Sequence, residues 1–358
     1  MFPTINSHNS WSKLEEVWLG DVYPASWYDH LAPEVRDCFY KITEITQQDL
    51  NAIQRKLEEF GVVVRRPVYS NIDDYLHANG QLIKPEITPR DYYLTLGNTL
   101  YAQKDSVTPW QHVLDEYRQQ SNCTVKPVMK IPGVAHISSA FSVRAGRDVY
   151  IDLVFQTDPR YVGGNVVKEQ LVELFKEYYS SDFKDYRVHI LFNGGHVDGC
   201  FALLKPGVLL TSKYFDDYQR TFPNWQQVNV SEPEFKNYSR RRSNAHGMHK
   251  WYTPETVDNR QFNQHVVKYA LDWVGDFTET FFEINCLSID EKNVLMLGEN
   301  EHVFRRLEEL GITAHSVPFR TRTFWDGGMH CLTLDIRRQS KLEDLFPDRG
   351  ELSLTVYK

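Results

Sequence analysis

One short pattern recurs near opposite ends of the chain. Leu57-Glu58-Glu59-Phe60-Gly61 leads into Val62-Val63-Val64, and Leu307-Glu308-Glu309-Leu310-Gly311 leads into a run ending at Val317. In the first copy Leu50, Ile53, Leu57 and Phe60 recur at helical spacing, which predicts an amphipathic helix over 46–60. Gly61 stops it, a β-branched run follows as a strand, and Pro67 closes the unit. The second copy predicts a helix over 303–310 and a strand over 312–317, ended by Pro318. Two looser copies read as a helix over 167–179 with a strand over 186–192, and a helix over 215–222 with a strand over 226–230. Such a succession suits any α/β protein. It also suits an internally repeated α/β unit, which would account for 358 residues without a linker. No Pro/Ser/Gly-rich linker or low-complexity run interrupts the chain, so one domain over 1–358 is expected.

Further strands are expected over 14–19, 92–96, 148–155, 202–204, 208–211, 281–288 and 293–297, the last two joined as a hairpin about Glu291-Lys292. Residues 22–36 mix aromatics, proline and charge and read as a loop with a short helix. A net charge of −8 argues against a general nucleic-acid surface. The five cysteines are scattered, without the spacing of a disulfide framework or a zinc site. The first residues lack a basic segment followed by an apolar run, and no run of apolar residues is long enough to span a bilayer. A soluble, cytoplasmic chain with no membrane partner is expected.

The stretch that points to chemistry is Gly327-Gly328-Met329-His330-Cys331, with a strand-like alternation over 332–336 behind it. Two glycines allow a tight turn, and a thiol on such a loop is well placed to face a pocket. A catalytic thiol needs a partner that handles protons, normally histidine. Gly194-Gly195-His196-Val197-Asp198 offers one; in an extended run, His196 and Asp198 would share a face. The same pair also fits a histidine satisfied by its own neighbouring carboxylate. Pro89-Arg90-Asp91 reads as a turn before a strand, Arg144 to Asp148 as a turn whose charges pair, and Arg240-Arg241-Arg242 as a solvated loop. No Walker loop, dinucleotide fingerprint or HExxH is present. Cysteine, histidine and two separate carboxylates suit a guanidinium. Carboxylates grip that planar cation bidentately, a thiolate attacks its central carbon, and the histidine protonates the departing amine.

These residues also carry a family resemblance. The segments NSWSKLEEVWLG from Asn9, GVVVRRP from Gly61, TPRDYYLTLGN from Thr88, RAGRDVY from Arg144, YRVHIL from Tyr186, HVDGCFALLKPGVLLTS from His196 and GGMHCLTLDIRR from Gly327 resemble the arginine:glycine amidinotransferase family of the guanidino-modifying (pentein) superfamily. The resemblance implies an α/β fold of five blades in a pseudo-fivefold propeller about a central site. It implies that Cys331 carries the amidino group, that His196 acts as acid and base, and that Asp91 and Asp198 hold the guanidinium. Ser138 stands where the family orients its histidine with an aspartate, which leaves Asp152 or another carboxylate to substitute. Lys213 stands where the family grips the substrate carboxylate with arginine, and Glu279 near a family Ser-Ser pair. The implied reaction moves the amidino group of L-arginine to a small amine such as glycine and releases ornithine, with no metal or organic cofactor. A homodimer is implied by family habit alone. A hydrolase of the same superfamily and a non-catalytic guanidine binder are the alternatives.

Overall fold

The structure is a computed structural model that describes residues 5–102, 107–127, 129–130, 136–153, 168–179, 181–192, 196–211, 218–230, 259–274, 283–350 and 354–357. Its architecture is mixed α/β. Strand β1 (Leu14–Leu19) leads through helix α1 (Pro33–Glu59) to β2 (Val63–Arg65), which lies parallel to it. Next come β3 (Leu94–Leu96), β4 (Thr99–Ala102), α2 (Gln111–Arg118) and β5 (Thr124–Pro127). A small pair, β6 (Met129–Lys130) and β7 (His136–Ile137), precedes β8 (Ser142–Ala145), β9 (Asp148–Asp152), α3 (Lys168–Tyr179) and β10 (Arg187–Leu191). Then follow β11 (Phe201–Lys205), β12 (Val208–Thr211), α4 (Tyr218–Thr221) and β13 (Gln226–Asn229). Helices α5 (Arg260–Tyr269) and α6 (Leu271–Val274) lead to β14 (Leu287–Asp290), β15 (Asn293–Leu297), α7 (Glu301–Glu309) and β16 (Thr313–Val317). The chain ends through α8 (Arg322–Trp325), β17 (Thr333–Arg338) and β18 (Leu354–Val356).

The hydrogen-bonded orders are β17-β1-β2, β3-β4-β5, β8-β9-β10, β11-β12-β13 and β14-β15-β16, with β18 added outside β10. In each of these five sheets the first pair is antiparallel and the second parallel. In each of the five a helix links the second strand to the third, as a parallel pair requires. One strand–strand–helix–strand unit is therefore repeated five times, with a glycine ending the helix in two of the copies, at Gly61 and Gly311. The first sheet is completed from the far end of the chain, where β17 pairs with β1.

Local chemistry accounts for the boundaries. Helices α1 and α7 stop where Gly61 (φ 76°) and Gly311 (φ 71°) take the left-handed conformation. The Asn300 side chain accepts the Val303 N–H at the start of α7. Helix α1 starts well before the expected 46–60. Pro33 occupies its first turn, where the missing N–H costs nothing, and Val35, Phe39 and Ile42 continue the buried face. The charged residues among them cover the exposed side. The strand expected over 281–288 begins only at Leu287, because residues 283–286 form a turn.

The largest core cluster joins α1, α5 and α6 to Trp325, Met329 and Leu332. Helix α1 thus backs the segment that carries Cys331. Trp325 Nε1 donates to Thr46 Oγ1 at 3.0 Å, and Thr46 Oγ1 lies 2.8 Å from Thr321 Oγ1. The buried Asp49 carboxylate accepts the backbone N–H of Arg320 at 2.6 Å. No helix among the described residues is long and apolar enough to cross a membrane.

Candidate active site

Each sheet is entered by a short turn, and the five turns supply the candidate site. Cys331 lies just before β17, Asp91 before β3, Ser138 before β8, Asp198 before β11 and Asn285 before β14. Asp91, Ser138 and Asp198 lie in or beside single 3-10 turns. Contacts between these turns tie them into one cluster.

The Cys331 turn is shaped by an unexpected residue. Asp326 takes the left-handed conformation (φ 46°, ψ 50°), while neither Gly327 nor Gly328 has a positive φ. Gly328 is required for space instead. A Cβ there would stand 2.4 Å from both Cβ and Oδ1 of Asn285. Asn285 is fully buried and holds Cys331 from two sides. Its Oδ1 accepts the Cys331 N–H at 2.9 Å, and its Nδ2 donates to Cys331 Sγ at 3.0 Å. Nδ2 also reaches the Asp198 carbonyl at 3.3 Å.

The other neighbour of the sulfur is a carboxylate. Cys331 Sγ lies 3.6 Å from Asp198 Oδ2, and the same oxygen lies 2.9 Å from Nδ1 of His330. Burial alone would raise the Asp198 pKa, but hydrogen bonding and charge from His330, with His196 and Arg90, leave it below the ordinary value. Asp198 is therefore ionised and can only accept, so His330 carries its proton on Nδ1. Burial, reinforced by the Arg90 charge, pushes the His330 pKa down to about 4, so this ring is neutral near pH 7. Burial first, then the charges of Asp198 and Asp91, push the Cys331 thiol well above its ordinary pKa. The resting thiol is protonated. Asp198 Oδ1 is buried and has no hydrogen-bond partner among the described residues. An anionic oxygen left this way is costly unless a cation arrives to meet it.

Beneath this cluster lies Asp335. Arg90 Nη2 donates to its Oδ1 at 2.6 Å, while Arg144 Nη2 and Arg338 Nε donate to its Oδ2 at 2.7 and 2.9 Å. Ser7 Oγ adds a fourth donor at 2.9 Å. All four charged groups are buried, and the arginines hold the Asp335 pKa well below the ordinary carboxylate value. Arg90 Nε also donates to the carbonyls of His330 and Thr333, both at 2.9 Å. The residue before Asp91 thus fastens the turn that carries Cys331. The charges of 144–148 do not pair with one another as expected. Arg144 goes to Asp335, whereas Asp148 binds Arg187, His189 and Arg349.

The structure brings Cys331, Asp91 and Asp198 together. His196 is half-buried, caps the turn that holds Asp198, and meets the Phe141 ring edge-on at 4.9 Å between centroids. His196 and Asp198 lie in a 3-10 turn and not in an extended run, so alternation does not set their directions. Ser138 is buried, and its hydroxyl makes no hydrogen bond to an imidazole among the described residues. Asp152 ends β9; burial first, then the Asp152 charge, push up the pKa of Cys200, whose thiol lies 3.5 Å from the His196 carbonyl. Lys213, Glu279 and Arg240 to Arg242 lie outside the described residues. Sequence reasoning missed Asn285, gave His330 no role, and read Arg90 as a turn residue. The signal for Asn285 was positional, because it precedes a first strand as the other site residues do. Among the described residues, no group of three His, Cys, Asp or Glu could hold a metal ion.

No family model matches the chain. It is 26% identical to the mitochondrial glycine amidinotransferase of Xenopus laevis over 209 residues, 57% of this chain and 39% of that protein. It therefore spans about two-fifths of the glycine amidinotransferases it matches. It is 22% identical to the L-arginine:L-lysine amidinotransferase of Pseudomonas savastanoi pv. phaseolicola, covering 94% of this chain and 95% of that one. Among solved structures, an amidinotransferase of the saxitoxin pathway from Microseira wollei superposes with a TM-score of 0.64 at 19% identity, covering 96% of this chain and 99% of that one. The N-terminal domain of a cyanobacterial arginine dihydrolase superposes with a TM-score of 0.54 at 14% identity, covering 91% and 98%. The chain is thus a sequence relative of glycine and L-arginine:L-lysine amidinotransferases, built on the mixed α/β fold of the amidinotransferases and their pentein relatives.

Proposed function

We propose that the chain is an amidinotransferase that takes the amidino group of L-arginine onto Cys331 and passes it to a small primary amine. The observation that carries this reading is the buried Asp198 carboxylate, 3.6 Å from the Cys331 sulfur with one oxygen unpartnered among the described residues. Asp91 adds a second negative charge at the same thiol. A guanidinium placed between these groups puts its electrophilic carbon beside Sγ. The five sheets of one topology support the reading of a single domain of five blades around this site.

The steps follow from the charges. The cation neutralises Asp91 and Asp198, which removes the Coulombic penalty on the thiolate. Sγ gives up its proton to His196 and attacks the guanidinium carbon. The bond from that carbon to the ornithine nitrogen breaks, and His196 protonates the leaving amine. The amidino group stays on Sγ as a thiouronium cation between the two carboxylates. An acceptor amine loses a proton to His196 and attacks the same carbon, and the thiolate departs. The product is a new guanidine.

The fold is shared with arginine dihydrolase, so the nature of the acceptor is the point to test. Labelled L-arginine with a panel of amines, read by mass spectrometry, should give ornithine only when an amine is present. Citrulline formed at turnover rates from arginine alone would make the chain a hydrolase. A chain that forms no amidino adduct dependent on Cys331 would be a guanidine-binding protein.

A further inference from the structure

The sulfur of Cys331 lies in a negative environment. Burial opposes its ionisation most, the charges of Asp198 and Asp91 add to that, and a backbone hydrogen bond from Gly328 and the Asn285 side chain oppose them. The arriving guanidinium removes the repulsion, but it is itself the electrophile. The thiolate still needs a donor that belongs to the protein.

We propose that Asn285 is a catalytic residue whose side-chain amide holds the negative charge on the Cys331 sulfur. Among the described residues it is the one side chain that donates to Sγ, at 3.0 Å. Asn285 does not line the turn passively. Its carbonyl oxygen Oδ1 is occupied by the Cys331 N–H at 2.9 Å, and a backbone N–H can only donate. That contact fixes which end of the amide is which. Nδ2 therefore faces the sulfur and the Asp198 carbonyl, two acceptors, and the amide cannot flip without facing donor to donor. The backbone is pinned as well, because the His330 N–H donates to the Asn285 carbonyl at 3.2 Å. The close approach of Gly328 fills the space on the remaining side. A neutral amide locked in this way adds no charge that would repel a guanidinium. Its bond to sulfur strengthens as the sulfur becomes anionic, so it favours the reacting state over the resting thiol. The inference uses the preceding reading only in taking Cys331 as the reacting atom.

The test is the pH dependence of Cys331 alkylation by iodoacetamide, a neutral reagent that reports thiolate. A Cys331→Ala control subtracts the other cysteines. Asn285→Ala removes the donor. Asn285→Leu keeps the size and neutrality of the side chain, loses the donor, and still decides the matter if the alanine variant fails to fold. Both should alkylate about tenfold more slowly at pH 8, with the profile displaced upward by about one pH unit. A folded Asn285→Ala or Asn285→Leu protein whose profile overlies that of the unaltered protein would overturn the proposal. Alkylation does not depend on amidino transfer. A displaced profile in a chain that transfers nothing would uphold Asn285 and reject the proposed reaction.

Discussion

Cys331 Sγ lies 3.6 Å from Asp198 Oδ2, so at rest the candidate nucleophile faces an anion and not a cation. Reactive cysteines usually gain their thiolate from a nearby positive charge. Here the nearest charged group has the opposite sign. The positive charge must come with the ligand, and the thiol stays quiet until it does.

Asp198→Asn separates these effects. Removing the anion should lower the thiol pKa and speed iodoacetamide alkylation at pH 8 by about tenfold. The same change removes the oxygen that meets the guanidinium, so amidino transfer should fall by more than about a hundredfold. Slower alkylation would show that Asp198 does not set the thiol's ionisation.

The two glycines of the Cys331 turn should respond differently to alanine. At Gly328 a Cβ lands 2.4 Å from Asn285, whereas at Gly327 its closest neighbour is a Thr88 methyl at 3.0 Å. Gly328→Ala should cut activity by more than about a hundredfold by displacing Asn285, with the melting temperature shifted only a few degrees. Gly327→Ala should retain at least about a tenth of the activity. Equal losses would argue against close approach to Asn285 as the reason for Gly328.

His330 gives a pH-dependent contribution to stability. Its folded pKa of about 4 lies below the ordinary 6.5, so the folded chain binds fewer protons than the unfolded chain between those values. Stability is lost as pH falls from 6.5 towards 4. The loss attributable to this ring between pH 7.5 and 5 is roughly 2 kcal/mol. His330→Asn keeps a donor near Asp198 without the titration. Urea unfolding at the two pH values should show a shallower decline for this variant, and an unchanged decline would refute the assignment.

Asp335→Asn should be among the most destabilising single changes in the protein. It leaves three buried guanidinium groups without their shared anion, a loss on the order of 3–5 kcal/mol. Chemical denaturation at pH 7 measures it. A cost below about 1 kcal/mol would show that the arginines find other acceptors.

Much of the fold was legible because a repeated pattern has few explanations. The strand at 14–19, the hairpin about Glu291-Lys292, and the helices stopped by Gly61 and Gly311 follow from local chemistry alone. The first half of α1 did not, because Pro33 resembles a breaker unless its place in the first turn is known. Cys331, Asp91 and Asp198 were legible as residue types suited to one cation. Asn285 was not, since a buried asparagine in a turn has no distinguishing pattern. Its importance lies in a contact to a residue 46 positions away. Arg90 does lie in the expected turn, but its partner Asp335 was hidden for the same reason.

The pairing of β1 with β17 has a consequence for how the molecule is made. Leu14 and Arg338 sit side by side in one sheet, so β1 waits for a partner strand made after four other sheets. Until β17 emerges, Arg90 and Arg144 lack the Asp335 carboxylate that neutralises them, and Asn285 has no thiol to hold. A nascent chain that lacks β17 therefore holds one incomplete sheet and unmatched cations beside it. Cys331 reaches its surroundings only after the four sheets that lie between β2 and β17 in the chain have been made.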